Sequence, residues 1–266
     1  MSTVINLSNL KPEQYTQVGA KAAHLAGLIQ AGLPVPPGFI VPATGDLEAR
    51  ELEAEIFAAW DDLGFQLAAV RSSALGEDSG NASWAGQLHT SLAVNKDELI
   101  THIKKCRDSA RHAQVLTYSQ NLEIAPIQQV TVIVQSLVAS DYSGVLFTAH
   151  PVTGDRQTMV VETIFGLGEL LAQGQVSASH YELSHSGEII TTFLQEQEQK
   201  RCIVSEQLQT VTLEPGAVPQ LSAEILSTLV SYGREVEALY DAPQDIEWAI
   251  ANDKIWLLQA RPITTL

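Results

Sequence analysis

The segment Asp245-Ile246-Glu247-Trp248-Ala249-Ile250-Ala251-Asn252-Asp253-Lys254-Ile255-Trp256-Leu257-Leu258-Gln259-Ala260-Arg261 decides how this chain reads. Two runs of alternating apolar and polar residues flank a short polar stretch, the pattern of a β-hairpin. With Asp253 at the centre of an odd-length turn, Glu247 faces Gln259 and Asp245 faces Arg261. Ile246, Trp248, Ile250, Trp256, Leu258 and Ala260 then share the opposite face. A slip of one residue would scatter the polar side chains over both faces and break the apolar surface, so the patterning selects this register. Two carboxylates, an amide oxygen and a guanidinium converge, a set that suits a hard divalent cation beside an anion. A solvated polar face with an ordinary Asp–Arg pair accounts for the segment equally well when it is taken alone.

Around the hairpin lies a chain of 266 residues, 45% of them hydrophobic, enough for one large domain or two fused subdomains. Lys and Arg number 15 against 31 Asp and Glu, a net charge of −16. A nonspecific grip on nucleic acid or on an anionic membrane is therefore not expected, and any anionic ligand must be held by local cations. No apolar stretch approaches the ~20 residues that a bilayer span requires. The first ten residues lack a basic leader followed by an apolar segment, so a soluble, cytoplasmic protein is expected. Cys106 and Cys202 lie far apart without a CxxC pair, which argues against a disulfide scaffold or a zinc knuckle.

Helical spacing marks residues 20–31 (Leu25, Leu28, Ile29), 52–63 (Leu52, Ile56, Ala59, Leu63), 97–119 (Leu99, Ile103, Cys106) and 222–240 (Ile225, Leu229, Tyr232, Val236). β-rich runs fall at 39–41, 130–138, 144–148, 159–164 and 180–183. The texture changes near Pro126, which places the expected boundary between an N-terminal lobe, 1–128, and a C-terminal lobe, 129–266. Helices and strands mix without a regular βαβ alternation, so the expected class is α+β.

Two further segments carry chemistry. Val70-Arg71-Ser72-Ser73 ends a strand and runs into a loop rich in Gly, Ser and Asn that includes Ser83-Trp84-Ala85-Gly86-Gln87. Such a loop offers backbone N–H groups and hydroxyls to phosphate oxygens, and Arg71 at its root adds a bidentate contact. Gly166-Leu167-Gly168-Glu169-Leu170-Leu171 imitates a dinucleotide fingerprint poorly. Leu171 stands where that motif needs Gly or Ala, and Glu169 would set negative charge beside a pyrophosphate, so a Rossmann reading is excluded and the turn is kept as a functional candidate.

Taken together these segments resemble the nucleotide-binding domain of the pyruvate phosphate dikinase and phosphoenolpyruvate synthase family, an ATP-grasp fold also found in rifampin phosphotransferases and glucan water dikinases. The motifs run in family order: Val18-Gly19-Ala20-Lys21-Ala22-Ala23-His24-Leu25, Gly32-Leu33-Pro34-Val35-Pro36-Pro37-Gly38-Phe39, Val70 to Ser73, Ser83 to Gln87, Val134-Gln135, Ser143 to Thr148, Gly166 to Glu169, and the closing hairpin with Pro262. The resemblance implies two lobes with the nucleotide cleft between them, and ATP and Mg2+ as cofactors. Lys21 and Arg71 would contact the ATP phosphates and Arg261 the terminal phosphates, these three forming the catalytic set. Glu247 and Gln259 would coordinate magnesium with Asp245 alongside. Gln135, Ser136 and Leu137 would form the hinge whose backbone groups hydrogen-bond adenine, Ser83, Gly86 and Gln87 would close over the phosphates, and Glu169 would join the nucleotide contacts.

The implied activity is Mg–ATP-dependent phosphoryl transfer of the dikinase type. Full dikinases continue into a swivelling domain with a phosphorylatable histidine and then a substrate domain. This sequence stops a few residues after Arg261, so either it is a domain excised from a longer chain, or a separate polypeptide is expected to supply the acceptor histidine, or the module acts on a small molecule by itself. A non-catalytic nucleotide-binding regulator, or a stand-alone ATP-grasp kinase or ligase acting on a small molecule, are the alternatives. His150 stands where relatives more commonly carry an acidic or amide residue, and it reads either as a base or phosphate acceptor or as a hydrogen-bonding loop residue.

Overall fold

The structure, a computed structural model, describes residues 4–74, 90–119 and 130–264. The chain divides into two compact units, the first comprising Met1–Gln30 and Pro36–Leu137, the second Ala31–Val35 and Val138–Leu266.

In the first unit the elements run β1 (Ile5–Asn6), α1 (Tyr15–Val18), α2 (Ala20–Gln30), β2 (Gly38–Val41), α3 (Arg50–Asp62), β3 (Ala68–Ala74), β4 (Thr90–Val94), α4 (Leu99–Ser119) and β5 (Val130–Ser136). The strands form one antiparallel sheet in the order β1-β2-β5-β3-β4. Helix α3 buries Leu52, Ile56 and Trp60, each four residues from the last, and this stripe joins Ile103 and Cys106 of α4 against Phe39, Val70, Val132 and Val134 of the sheet. Helix α2 covers the other face: Leu25 and Leu28 are fully buried, and the Ala22 N–H donates to Ser73 Oγ at 3.2 Å. β5 lies between β2 and β3, and residues 130–135 are buried, which is why this run is almost wholly apolar. The boundary expected between 128 and 129 is therefore corrected. Composition changes before β5, but backbone pairing binds that strand to the first unit, and the division falls after Leu137.

The second unit contains β6 (Tyr142–Phe147), β7 (Thr158–Phe165), α5 (Glu169–Ala172), β8 (Ser179–Ser184), β9 (Ile189–Phe193), β10 (Gln199–Val204), β11 (Gln207–Thr212), α6 (Ala223–Tyr240), β12 (Gln244–Ala251) and β13 (Lys254–Pro262). Six strands form a sheet in the order β13-β12-β6-β7-β8-β9, every neighbouring pair antiparallel, and β10 and β11 form a separate ribbon. Ser222 caps α6, its Oγ accepting from the Ile225 N–H at 3.3 Å. The helix buries Leu226, Leu229, Val230 and Val236, and Gly233 brings its backbone against Leu146 and Met159 of the sheet. Separate helices and antiparallel sheets make the class α+β, as the sequence indicated. β9, β10 and β11 escape sequence reading because β9 is exposed throughout and no residue of the ribbon is fully buried, so neither shows an alternating burial signal.

Among the described residues no helix is long and apolar enough to cross a membrane. Cys106 and Cys202 form no disulfide.

The tightest packing in the second unit lies at Gly144, opposite fully buried Trp248 on β12. A Cβ there would sit 1.8 Å from the Glu162 carbonyl oxygen and 2.7 Å from the Trp248 ring. Gly144→Ala should destabilise the protein by about 3 kcal/mol or more, since neither the β7 backbone nor a buried indole can yield. Urea denaturation with an unchanged midpoint would contradict this.

Candidate functional site

The hairpin of β12 and β13 is present, with a different turn. Asn252 and Asp253 both have positive φ, 50° and 59°, which makes a two-residue turn of type I′. From it the pairs run Ala251 with Lys254, Ile250 with Ile255, Ala249 with Trp256 and Trp248 with Leu257. A β-bulge at Leu258 then shifts the register by one residue, and the pairing resumes as Glu247 with Gln259, Ile246 with Ala260 and Asp245 with Arg261. The expected odd-length turn is thus replaced by an even turn plus one bulged residue, and the two differences cancel at the polar end. Near the turn they do not: Ile255 and Leu257 are buried there, and Trp256 and Leu258 do not belong to the buried apolar set.

Asp245, Glu247, Gln259 and Arg261 therefore share one sheet face. Arg261 donates from Nε at 2.8 Å and from Nη2 at 2.7 Å to a single oxygen, Asp245 Oδ2. The other oxygen, Oδ1, is buried and has no hydrogen-bond partner among the described residues. Burial holds the Asp245 carboxyl above its ordinary range. Arg261 opposes that rise, and the negative charge of Glu247 adds to it. A buried carboxylate oxygen without a donor, next to a second carboxylate and a nearly buried amide, is a fitting place for a divalent cation, which would offset both charges. Among the described residues no group of three or more His, Cys, Asp or Glu is arranged to hold a metal ion.

The same face continues across the sheet. Pairing carries it from Glu247 through Val145 to Glu162 and His180, and from Asp245 through Phe147 and Val160 to Glu182. His180 stands 3.8 Å from Glu162 by Nδ1 and 3.6 Å from Glu182 by Nε2, and His150 Nε2 lies 3.6 Å from the same Glu182 oxygen. Sequence reading missed Glu162 and Glu182, although each is a polar residue alternating with apolar ones on its strand. His150 Nδ1 accepts the N–H groups of Val152 and Thr153 at 3.2 and 3.3 Å. That lone pair is occupied, so of the two alternatives for His150 the hydrogen-bonding loop residue is the one the geometry supports.

Glu169 opens α5, and its carboxylate accepts from Arg201 Nε at 3.0 Å.

In the first unit Lys21 lies in the first turn of α2, with Nζ 3.5 Å from the Ser72 carbonyl oxygen. Arg71 is adjacent in sequence to Ser72, and by strand alternation it shares the face of Ser73, which α2 covers. The fold thus brings Lys21 and Arg71 to the same region of this unit. Lys21 is also felt at the buried thiol of Cys106: burial pushes that thiol up to about 12, and the lysine charge opposes the rise. The Gln135 side chain is engaged within the first unit. It is 2% exposed, and its Nε2 donates to the Pro36 carbonyl at 3.1 Å. The N–H groups of Ser136 and Leu137 are donated to Pro37 and Leu67. Ser83, Gly86 and Gln87 lie outside the described residues.

Residues 48–266 match the family model described as pyruvate phosphate dikinase, AMP/ATP-binding domain. The chain belongs to this family and carries its AMP/ATP-binding domain. It is 35% identical to the prodigiosin synthesizing transferase PigC of Serratia marcescens over 98% of this chain and 33% of that protein. It is 32% identical to a probable phosphoenolpyruvate synthase of Archaeoglobus fulgidus, over 99% of this chain and 42% of the relative. It is also 32% identical to a rifampicin phosphotransferase of Streptomyces sviceus, over 99% of this chain and 36% of the relative. The chain thus spans well under half the length of these curated relatives.

The raised Asp245 pKa has a definite sign. The folded state holds this proton more tightly than the unfolded chain does, so the group's contribution to stability is full below its unfolded pKa and is lost as pH rises through the folded value. Cation binding needs the ionised carboxylate. Any stabilisation by Mg2+ at this face should therefore shrink as pH falls through the raised Asp245 value, and Asp245→Asn should flatten that dependence. Melting temperatures with and without Mg2+ between pH 5 and 8 test this, and equal shifts at every pH would refute it.

Proposed function

We propose that this chain is the Mg–ATP-handling module of a dikinase-type phosphotransferase, with the two units as the lobes of an ATP-grasp fold. It would cleave ATP and pass a phosphoryl group to an acceptor supplied from outside the chain, a histidine of a partner domain or protein, in the cytoplasm. The observation that carries this reading is the buried Oδ1 of Asp245, which has no hydrogen-bond partner among the described residues, on the face it shares with Glu247, Gln259 and Arg261, in a chain of the AMP/ATP-binding family.

Glu247 and Gln259 are the residues that would hold Mg2+, with Asp245 beside them. A bound divalent cation neutralises polyphosphate oxygens and supports the charge that develops as phosphoryl transfers. Asp245 orients Arg261 by receiving two of its N–H donors on one oxygen, which fixes the guanidinium plane before a ligand arrives. Arg261 is then assigned to the terminal phosphates, and Lys21 and Arg71 to further phosphate oxygens. In a chain of net charge −16 these three local cations have a clear purpose, because the overall field opposes a polyphosphate. Glu169 suits hydroxyl or amino groups of the nucleoside, since a carboxylate accepts and cannot meet phosphate. Residues 135–137 are assigned an adenine contact through backbone carbonyls, which suit the exocyclic amine. Ser83, Gly86 and Gln87 are kept as the loop closing over the phosphates.

Resolving the nucleotide products of Mg–ATP, with and without a candidate histidine-domain partner, tests the reading. AMP should appear only with the partner. ADP formed with a small-molecule acceptor, or saturable binding without turnover under any condition, would overturn it. Arg261→Ala and Glu247→Ala should each lower turnover by about 10²- to 10³-fold, and Glu247→Ala should do so with the melting temperature little changed. Full activity in both variants would remove the site assignment.

A further inference from the structure

The turn of residues 165–169 is clamped from one side by the β10–β11 ribbon, which lies outside both large sheets. Gln197, 1% exposed, receives the Phe165 N–H on Oε1 at 2.7 Å and donates Nε2 to the Phe165 carbonyl at 3.1 Å. The Leu167 N–H donates to the Arg201 carbonyl at 2.8 Å. Gly166 has φ +78°, and a Cβ there would fall 2.2 Å from that carbonyl oxygen, so the backbone approach is closed to any larger residue. The Arg201 side chain completes the clamp. Its Nε donates to Glu169 Oε2 at 3.0 Å and its Nη1 to Thr210 Oγ1 at 3.0 Å. Arg201 is thus held at its backbone by the turn and at its head by β11, and it fixes one oxygen of Glu169.

We propose that Arg201 is a positioning residue for nucleotide binding, acting through Glu169, and that the β10–β11 ribbon exists in this unit to hold it. This rests on the assignment of Glu169 to the nucleotide. Glu169 lies on a short four-residue helix capped by Gly168, its side chain is only partly buried, and its other oxygen accepts from Gln173 Nε2 at 3.4 Å. A long flexible carboxylate in that setting loses rotamer freedom when it meets a ligand, and prior anchoring by Arg201 removes part of that cost. Arg is suited to the task because its planar fork can hold Thr210 and Glu169 together, which the single ammonium of Lys does less well.

A double-mutant cycle on the full chain tests this, with Mg–ATP as the probe and its Kd read by calorimetry. Glu169→Gln and Arg201→Gln should each weaken binding by about tenfold, and the double variant should be no weaker than Glu169→Gln alone. Thr210→Val, which removes the second anchor of Arg201 without touching Glu169, should shift Kd in the same direction by a smaller factor and serves if Arg201→Gln fails to fold. If Arg201→Gln leaves Kd unchanged, or weakens binding equally in the Glu169→Gln background, the positioning role is wrong while the nucleotide reading stands. A Glu169→Gln variant that binds as the parent does overturns both.

Discussion

The pairing of Glu247 with Gln259 depends on a single extra residue. If the register set by the Asn252-Asp253 turn continued unbroken, Gln259 would stand opposite Ile246 and enter the apolar face, and Leu258 would take its place beside Glu247. The bulge at Leu258 prevents this, and the four polar groups of the hairpin share a face because of it. The rest of the second unit makes that register the only affordable one. Trp248 fills the space left by Gly144, and Ile246, Ile250, Leu257 and Ala260 are buried on the same apolar side, where α6 packs against the sheet.

Charge in this protein is managed locally. The chain as a whole repels anions, yet Arg261 is held in a bidentate contact with one carboxylate oxygen, Lys21 rests on a backbone carbonyl and Arg201 is held between Glu169 and Thr210. Each cation is fixed by a partner that leaves the surrounding acidic surface unchanged. The converse holds at Asp245, where burial and a neighbouring carboxylate make the ionised state costly. In the proposed function a divalent cation would offset that cost, taking the place of the proton.

Much of the scaffold was legible from local pattern. Helices α2, α3, α4 and α6 follow their apolar stripes, and β5 to β8 follow their β-branched runs, because burial on one side imposes a period that sequence records directly. The hairpin pairing was legible at its polar end through a cancellation: an odd turn and an even turn with a bulge place Asp245 and Arg261 opposite each other alike. The strands β9 to β11 were not legible, since strands that bury neither face leave no alternation to read. Nor was the role of Gln135, an amide in a motif whose side chain serves the Pro36 carbonyl inside the first unit.

The sequence by itself determined the class of the fold, the apolar stripes, the acidic balance and the identity of the polar groups that meet across the last hairpin, because all of these are carried by neighbours in the chain or by residue types alone. Tertiary structure decided where the first unit ends, which oxygen of Asp245 lacks a donor among the described residues, what His150 does with Nδ1 and that Arg201 reaches Glu169 from 32 residues away. The reason is physical: strand pairing, desolvation and side-chain ion pairs depend on distance in space, and no periodicity along the chain encodes that distance.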